Sequence, residues 1–224
     1  MVNAVLYSDQ IISANDKIDV RLVELMEGRG TRIGYVPSAP DPSRKFYTER
    51  QAYYVRRGFT LDVVYDLDQE HDIAETDALL ACDAIHLSGG NTAGFLGRLK
   101  RTGMLERLRN WALNGGLLIG TSAGAILMTP TIAVNALFRG GKPEDVEDGE
   151  ALDLVPFEFF PHLQAKQSYL PDLLAYSTLN SRPIIACPDG DGVVIEKGFV
   201  ECLGDLVRLS NGNAESLAGR RFQY

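Results

Sequence analysis

The sequence predicts an α/β fold: a three-layer αβα sandwich around a mainly parallel, doubly wound sheet. Short β-branched runs alternate with helical segments over the first 130 residues, which is the pattern of βαβ units. Right-handed crossovers then place helices on both faces of the sheet. After residue 180, closely spaced apolar runs are separated by tight turns, so antiparallel strands should extend the same sheet near the C-terminus.

The elements follow one another along the chain without a linker, a repeat or a low-complexity tract, so residues 1–224 should form one domain. Residues 139–150 are rich in glycine and acidic side chains and are expected to form an exposed acidic excursion from the fold. This segment either folds over a functional site or is solvated. The expected strands are 2–7, 32–36, 61–65, 84–87, 117–120, 183–186, 192–196, 199–203 and 206–209. The expected helices are 17–27, 43–57, 73–80, 92–99, 104–113 and 169–179.

Composition narrows the function classes. The 224 residues are 45% hydrophobic and 23% charged, which is typical of a globular protein. A net charge of −8 argues against nucleic acid as a partner, and no apolar run is long enough for a membrane span. The N-terminus lacks the features of a signal peptide, and Cys82, Cys187 and Cys202 are expected to be free core thiols. A cytoplasmic location is therefore expected.

One Gly-rich strand end matches G-x-S-x-G. Gly120-Thr121-Ser122-Ala123-Gly124 follows an apolar strand and precedes a run of small residues compatible with a helix. A sharp strand-to-helix turn there would expose the Ser122 hydroxyl and direct the Ala123 N–H toward an oxyanion. The alternative is a Gly-rich turn without chemistry.

A serine nucleophile needs a base, and the chain has three histidines. His71 lies in a polar stretch and is expected to be solvated, while His86 alternates within a strand and is expected in the sheet. His162 follows Phe159-Phe160-Pro161, a segment that could present an imidazole at a strand end. By elimination His162 is the best base, although a purely structural role stays open.

The third member of a triad must orient the imidazole. Asp189 follows the strand at 183–186 and could converge on the same sheet edge, with Asp191 as its rival. This order, with the acid after the histidine, differs from that of α/β-hydrolases, where the acid precedes it.

A second Gly-rich strand end, Ser88-Gly89-Gly90-Asn91-Thr92, lies on the strand expected next to Ser122. The N–H of Gly90 could supply a second oxyanion donor, and Asn91 could cap the next helix or contact substrate. The phosphate-loop patterns are absent and no Cys/His cluster is present, so neither a cofactor nor a metal site is expected.

Together these motifs resemble the peptidase E (aspartyl dipeptidase) family of serine peptidases, relatives of cyanophycinase. The resemblance rests on the two Gly-rich segments, on Pro130-Thr131-Ile132 and on the stretch 151–156 that leads to Pro161-His162. The motif Pro188-Asp189-Gly190 completes the series, whose order fits over residues 1 to about 212. The resemblance implies a class I glutamine-amidotransferase-like fold.

The resemblance further implies that Ser122 is the nucleophile, His162 the base, and Gly90 and Ala123 the oxyanion donors. The acid in the best-known members is a glutamate where this chain has Asp189. Members selective for N-terminal aspartate carry an arginine after the histidine, where this chain offers only Lys166. The implied activity is hydrolysis of dipeptides or short peptides at the N-terminal residue, without strict aspartate specificity.

The function and the oligomeric state stay open at this stage. The alternatives in function are a cyanophycinase-like isopeptide hydrolase, a catalytically silent binding module and a carboxylesterase. The expected partner is a small peptide substrate, and membranes are not expected as partners. A homodimer stays open.

Overall fold

The computed structural model describes residues 1–163 and 169–224 and has twelve strands and seven α-helices within them. The strands are β1 (Asn3–Tyr7), β2 (Arg32–Val36), β3 (Thr60–Val64), β4 (Ala84–Leu87), β5 (Leu117–Thr121), β6 (Glu158–Phe160), β7 (Ile184–Ala186), β8 (Gly192–Glu196), β9 (Phe199–Leu203), β10 (Val207–Ser210), β11 (Asn213–Ser216) and β12 (Arg221–Gln223). The helices are α1 (Asp16–Met26), α2 (Lys45–Val55), α3 (Ile73–Leu80), α4 (Thr92–Arg101), α5 (Met104–Leu113), α6 (Ala123–Ile126) and α7 (Leu170–Leu179). None of these helices is long and apolar enough to cross a membrane.

The main sheet has eight strands in the order β12-β9-β8-β1-β5-β4-β2-β3. The five strands from β1 to β3 are mutually parallel, and β8, β9 and β12 add antiparallel at the β1 side. The predicted α/β class with a mainly parallel sheet is therefore confirmed.

Alternation along the central strands produces the layers. In β1, Leu6 packs into the core on one face of the sheet, while its neighbours Val5 and Tyr7 pack into the core on the other. Successive side chains of a strand point to opposite faces, so strands that are apolar throughout must be covered on both. Helices α1 and α2 cover one face, while α4, α5 and α7 contribute to the core on the other.

The prediction that all the late strands extend the same sheet is wrong. A second sheet has the order β11-β10-β7-β6, and it includes two of the predicted strands, now β7 and β10. The segment 187–191, with Pro188 and Gly190 at φ +91°, carries the chain from this second sheet to β8 in the main one. The two sheets share one core, because Phe159 and Leu209 of the second sheet pack into the same cluster as Leu6 of the main sheet.

The parallel register brings three strand ends together. Tyr7 of β1 pairs with Thr121 of β5, and Leu87 of β4 pairs with Gly120. The residues that follow these strands therefore lie side by side at the carboxyl edge of the sheet, where ligands bind in open α/β folds.

The three cysteines are free and buried, as the composition predicts. Burial raises the pKa of the Cys82 and Cys202 thiols to about 11 and that of Cys187 well above its usual range. A thiolate, the nucleophilic form, is therefore disfavoured at all three positions.

Candidate active site

Ser122 lies on a sharp turn between β5 and α6. Its backbone φ of +49° is unusual for a residue with a side chain and costs on the order of 1–3 kcal/mol. Hydrogen bonds hold the turn: the Ser122 N–H donates to the Tyr7 carbonyl at 3.0 Å, and the Ser122 carbonyl accepts the N–H groups of Ala125 and Ile126. These hydrogen bonds, to β1 and within the first turn of α6, thus hold the Ser122 backbone in this strained conformation.

The two glycines flanking Ser122 are required by close approach. A Cβ on Gly120 would lie 2.6 Å from the Ala125 nitrogen, and a Cβ on Gly124 would lie 2.1 Å from the Leu87 carbonyl oxygen. Both clashes are with backbone, which cannot easily move. The G-x-S-x-G pattern therefore has a steric cause in this chain.

His162 follows β6 and presents its ring to Ser122. The distance from His162 Nε2 to Ser122 Oγ is 2.8 Å, and Phe138 packs edge-to-face against the imidazole. His162 also has a positive φ, of +60°, held by hydrogen bonds at its own N–H and at that of Leu163. A neutral imidazole in this geometry accepts the Ser122 hydroxyl proton at Nε2.

The other two histidines lie away from Ser122. His86 is fully buried in β4, with Nδ1 2.7 Å from the Tyr54 hydroxyl, and burial lowers its pKa well below the usual value. The expectation that His71 is solvated is wrong: its side chain is only 12% exposed and stacks on Tyr65 at a centroid distance of 3.7 Å. The polar sequence around His71 does not reveal this aromatic partner.

The structure separates the two candidate acids. Asp189 Oδ1 lies 2.6 Å from His162 Nδ1, whereas the Asp191 carboxylate accepts the backbone N–H of Asp205 at 2.8 Å. Burial raises the pKa of Asp191. An aspartate therefore reaches the imidazole here without a lengthened hydrogen bond.

Ser8 forms hydrogen bonds with both the His162 and the Asp189 segments, a role that the sequence analysis did not predict. It follows β1 and is fully buried. Its hydroxyl accepts the His162 backbone N–H at 2.7 Å and lies 3.1 Å from Asp189 Oδ1 and 3.0 Å from the Cys187 carbonyl, to either of which it can donate. The available signal was a polar residue at the carboxyl end of a central parallel strand.

We expect Ser8→Ala to lower kcat by about 10- to 100-fold, because small displacements of catalytic groups cost this much. The loss should fall on kcat rather than KM, since Ser8 positions His162 and Asp189. Ser177→Ala is the matched control, because Ser177 is equally buried and hydrogen-bonded but lies outside the site. Equal kcat values for the two variants would contradict the positioning role.

The second Gly-rich strand end lies against the nucleophile. A Cβ on Gly89 would lie 3.6 Å from Ser122 Cβ, and Gly90, at φ +140°, packs so tightly on Ser38 that a Cβ would meet its hydroxyl at 2.2 Å. The N–H of Gly90 donates to no acceptor in the part of the chain that the structure describes. The Ala123 N–H is in the first turn of α6, where N–H groups lack intrahelical acceptors.

Asn91 caps α4 through its side-chain oxygen, which accepts the Gly94 N–H and also a hydrogen bond from Arg139. Arg139 begins the predicted acidic excursion, so this contact connects that segment to the Gly-rich loop. Most of the excursion itself is solvent-exposed. Lys166 lies outside the described residues.

A cavity of about 490 Å³ joins these groups, a volume within the range of small-molecule sites. Ser122, His162, Gly90 and Asn91 all line it. A larger groove of about 990 Å³ between α1 and α2 contains none of the predicted site residues. Among residues 1–163 and 169–224 no cluster of His, Cys, Asp or Glu could hold a metal ion.

Comparison with known proteins assigns this chain to a family. The model of peptidase family S51 matches residues 7–203. A peptidase E of Nostoc sp. is 27% identical over 186 residues, which cover 78% of this chain and 73% of that protein. An uncharacterized peptidase of Listeria monocytogenes is 32% identical over 142 residues, or 60% of this chain and 66% of that protein, just under two-thirds of its length.

The fold is shared with solved peptidases. The crystal structure of a peptidase from an acI-B1 actinobacterium matches all of this chain and 97% of that chain, with a TM-score of 0.73 at 17% identity. This match supports the three-layer fold. From the extent of the family match, the chain belongs to peptidase family S51 and is a serine peptidase.

Proposed function

We propose that this peptidase is an exopeptidase that removes the N-terminal residue from dipeptides and short peptides. The observation that carries the proposal is the hydrogen-bonded series from Ser122 to His162 (2.8 Å) to Asp189 (2.6 Å) on the wall of a small cavity. Asp9 also lines this cavity, and its carboxylate suits the free ammonium group of a substrate. We further propose a cytoplasmic location, with which the three free thiols are compatible.

In the first half of the reaction, Ser122 Oγ attacks the scissile carbonyl carbon while His162 Nε2 takes the hydroxyl proton. The N–H groups of Gly90 and Ala123 are the proposed donors to the resulting oxyanion. Asp189 holds the tautomer with the proton on Nδ1 and stabilises the imidazolium. When the C–N bond breaks, His162 gives its proton to the leaving amine, and an acyl-enzyme remains.

In the second half, a water molecule attacks the acyl carbon and His162 takes one of its protons. Collapse of the tetrahedral intermediate breaks the bond to Ser122 Oγ, which receives that proton back. The free amino acid leaves, and the enzyme regains its starting protonation state. A cavity of about 490 Å³ fits short substrates better than folded proteins.

Hydrolysis of a peptide panel tests the proposal. We expect dipeptides and tripeptides with a free amine to be cleaved after the first residue, and N-acetylated copies to react at least about 100-fold more slowly, because the charged amine is lost. Aspartate at the N-terminus should not be required. The readout is release of the N-terminal amino acid, followed by chromatography.

Two further substrates, a β-aspartyl-arginine polymer and p-nitrophenyl esters, added to the panel separate the alternatives. Cleavage of β-aspartyl-arginine polymer without cleavage of α-dipeptides would favour an isopeptide hydrolase. Binding of dipeptides without any turnover would favour a silent binding module. Cleavage of p-nitrophenyl esters alone would favour an esterase.

A further inference from the structure

We propose that Arg50 determines specificity by binding a carboxylate group of the peptide substrate. The inference rests on the proposed function, because it assigns a recognition role on the wall of the same cavity. The group recognised is either the C-terminal carboxylate of a dipeptide or an acidic side chain. No sequence motif points to Arg50. The arginine expected from the family resemblance would follow the catalytic histidine in the chain, whereas Arg50 precedes it.

Arg50 lines the cavity from helix α2, which packs on the face of the sheet that α1 also covers. It lies on α2, three and four residues before the buried Tyr53 and Tyr54, so it shares their face of the helix. The residue is partly buried and lines the cavity together with Ser122 and His162. A substrate held at Ser122 therefore lies in the same enclosed space as this guanidinium.

The partners of Arg50 among the described residues are neutral. Its guanidinium donates to the Gln10 side-chain oxygen and lies 5.9 Å from the centroid of the Tyr53 ring, while its buried Nε has no hydrogen-bond partner. By contrast Arg57, on the other side of Tyr53, pairs with the carboxylate of Asp19. A partly buried cation without an anion is costly, and an incoming carboxylate would remove this cost.

Neither of the nearby acids forms an ion pair with Arg50 among the described residues. Asp9 and Asp41 also line the cavity. The Asp9 carboxylate accepts the backbone N–H of Gln10, and the Asp41 carboxylate accepts from the Ser43 hydroxyl and from two backbone N–H groups at the start of α2. The positive charge of Arg50 thus stays available at the cavity wall, and it contributes, after burial, to the low pKa of His86.

Gln10 fixes Arg50 relative to the nucleophile. The Gln10 amide oxygen accepts from both Arg50 and the Thr121 hydroxyl, and its NH₂ group donates to the Tyr54 hydroxyl. Thr121 immediately precedes Ser122. A guanidinium held in this way loses little freedom on binding, and its planar fork can take a carboxylate with two hydrogen bonds.

Equilibrium binding to a Ser122→Ala background tests the proposal without requiring turnover. Isothermal titration calorimetry would compare Ala-Ala with Ala-Ala amide, and Asp-Ala with Asn-Ala. We expect Arg50→Gln to weaken binding of the ligand that carries the recognised carboxylate by at least about tenfold, and to leave its neutral counterpart within about threefold. A loss shared by Ala-Ala, Asp-Ala and Asn-Ala but not by Ala-Ala amide identifies the C-terminal carboxylate, and a loss confined to Asp-Ala identifies the acidic side chain.

Arg56→Gln is the matched control, because Arg56 is the C-cap residue of the same helix, is exposed and does not line the cavity. It makes the same change in charge and should leave all four affinities unchanged. If Arg50→Gln fails to fold, Arg50→Lys keeps the charge but loses the fork, and it should weaken the same ligand while keeping its preference over the neutral one.

The proposal is overturned if Arg50→Gln weakens all four ligands equally, if it matches Arg56→Gln, or if no ligand binds in a carboxylate-dependent way. The proposed function is judged separately, by wild-type hydrolysis of the peptide panel. If the wild type cleaves peptides and Arg50→Gln has no effect on binding, the exopeptidase proposal holds and the Arg50 proposal is wrong. If binding depends on the carboxylate and on Arg50 but no peptide is cleaved, the Arg50 proposal holds and the exopeptidase proposal is wrong.

Discussion

Replacing Ser122 with alanine is expected to reduce kcat for peptide hydrolysis by about 10⁴-fold or more, because members of a triad act as a unit. The substitution removes only the hydroxyl that lies 2.8 Å from His162 Nε2. Substrate affinity should change little, since the cavity walls stay in place. The measurement is single-substrate kinetics on the most reactive peptide of the panel.

The substitution should leave the fold intact, because alanine keeps the backbone contacts of the turn. Its strained φ of +49° is held by hydrogen bonds of the Ser122 backbone, which alanine preserves. Circular dichroism and thermal unfolding of the variant serve as the control. Peptide hydrolysis at the wild-type rate in a folded Ser122→Ala protein would remove Ser122 from the mechanism.

Asp189→Asn is expected to lower kcat by roughly 10⁴-fold, because an amide in place of the carboxylate favours the wrong imidazole tautomer and cannot stabilise the cation. The affected contact is the 2.6 Å hydrogen bond between Asp189 Oδ1 and His162 Nδ1. The side chain keeps its size, so the fold should tolerate the change.

The neighbouring acid provides a matched control. Asp191 lies two residues further on, and its carboxylate accepts the Asp205 N–H, which an asparagine oxygen can also accept. We expect Asp191→Asn to retain kcat within about threefold, which is well below the effect of losing a triad member. A larger loss in Asp191→Asn than in Asp189→Asn would reverse the assignment of the acid.

Local sterics made part of the site predictable from sequence. The G-x-S-x-G pattern is dictated by two backbone clashes, at Gly120 and Gly124, so a local motif reports a local structure. The parallel strands are also predictable from the sequence, because each apolar run and each helical crossover is a continuous stretch of the chain. His162 could be reached by elimination, since the chain has only three histidines.

Long-range pairing was not predictable in the same way. Strands β7 and β10 have only three and four residues, and their sequences do not say which sheet they join, because packing of the whole core decides it. Ser8 and Arg50 are single polar residues whose partners lie far away in the chain, so their roles appear only when the fold is known. The choice between Asp189 and Asp191 likewise required the position of the imidazole.

Covalent labelling with a serine-directed phosphonate tests most directly whether Ser122 is an activated nucleophile. Mass spectrometry of the digested protein should find one adduct, on the peptide that carries Ser122, and none in Ser122→Ala. His162→Ala should slow labelling by at least about 100-fold, because the general base is lost. Peptide hydrolysis that continues in protein fully labelled at Ser122, or an adduct on a different residue, would contradict the catalytic role of this serine.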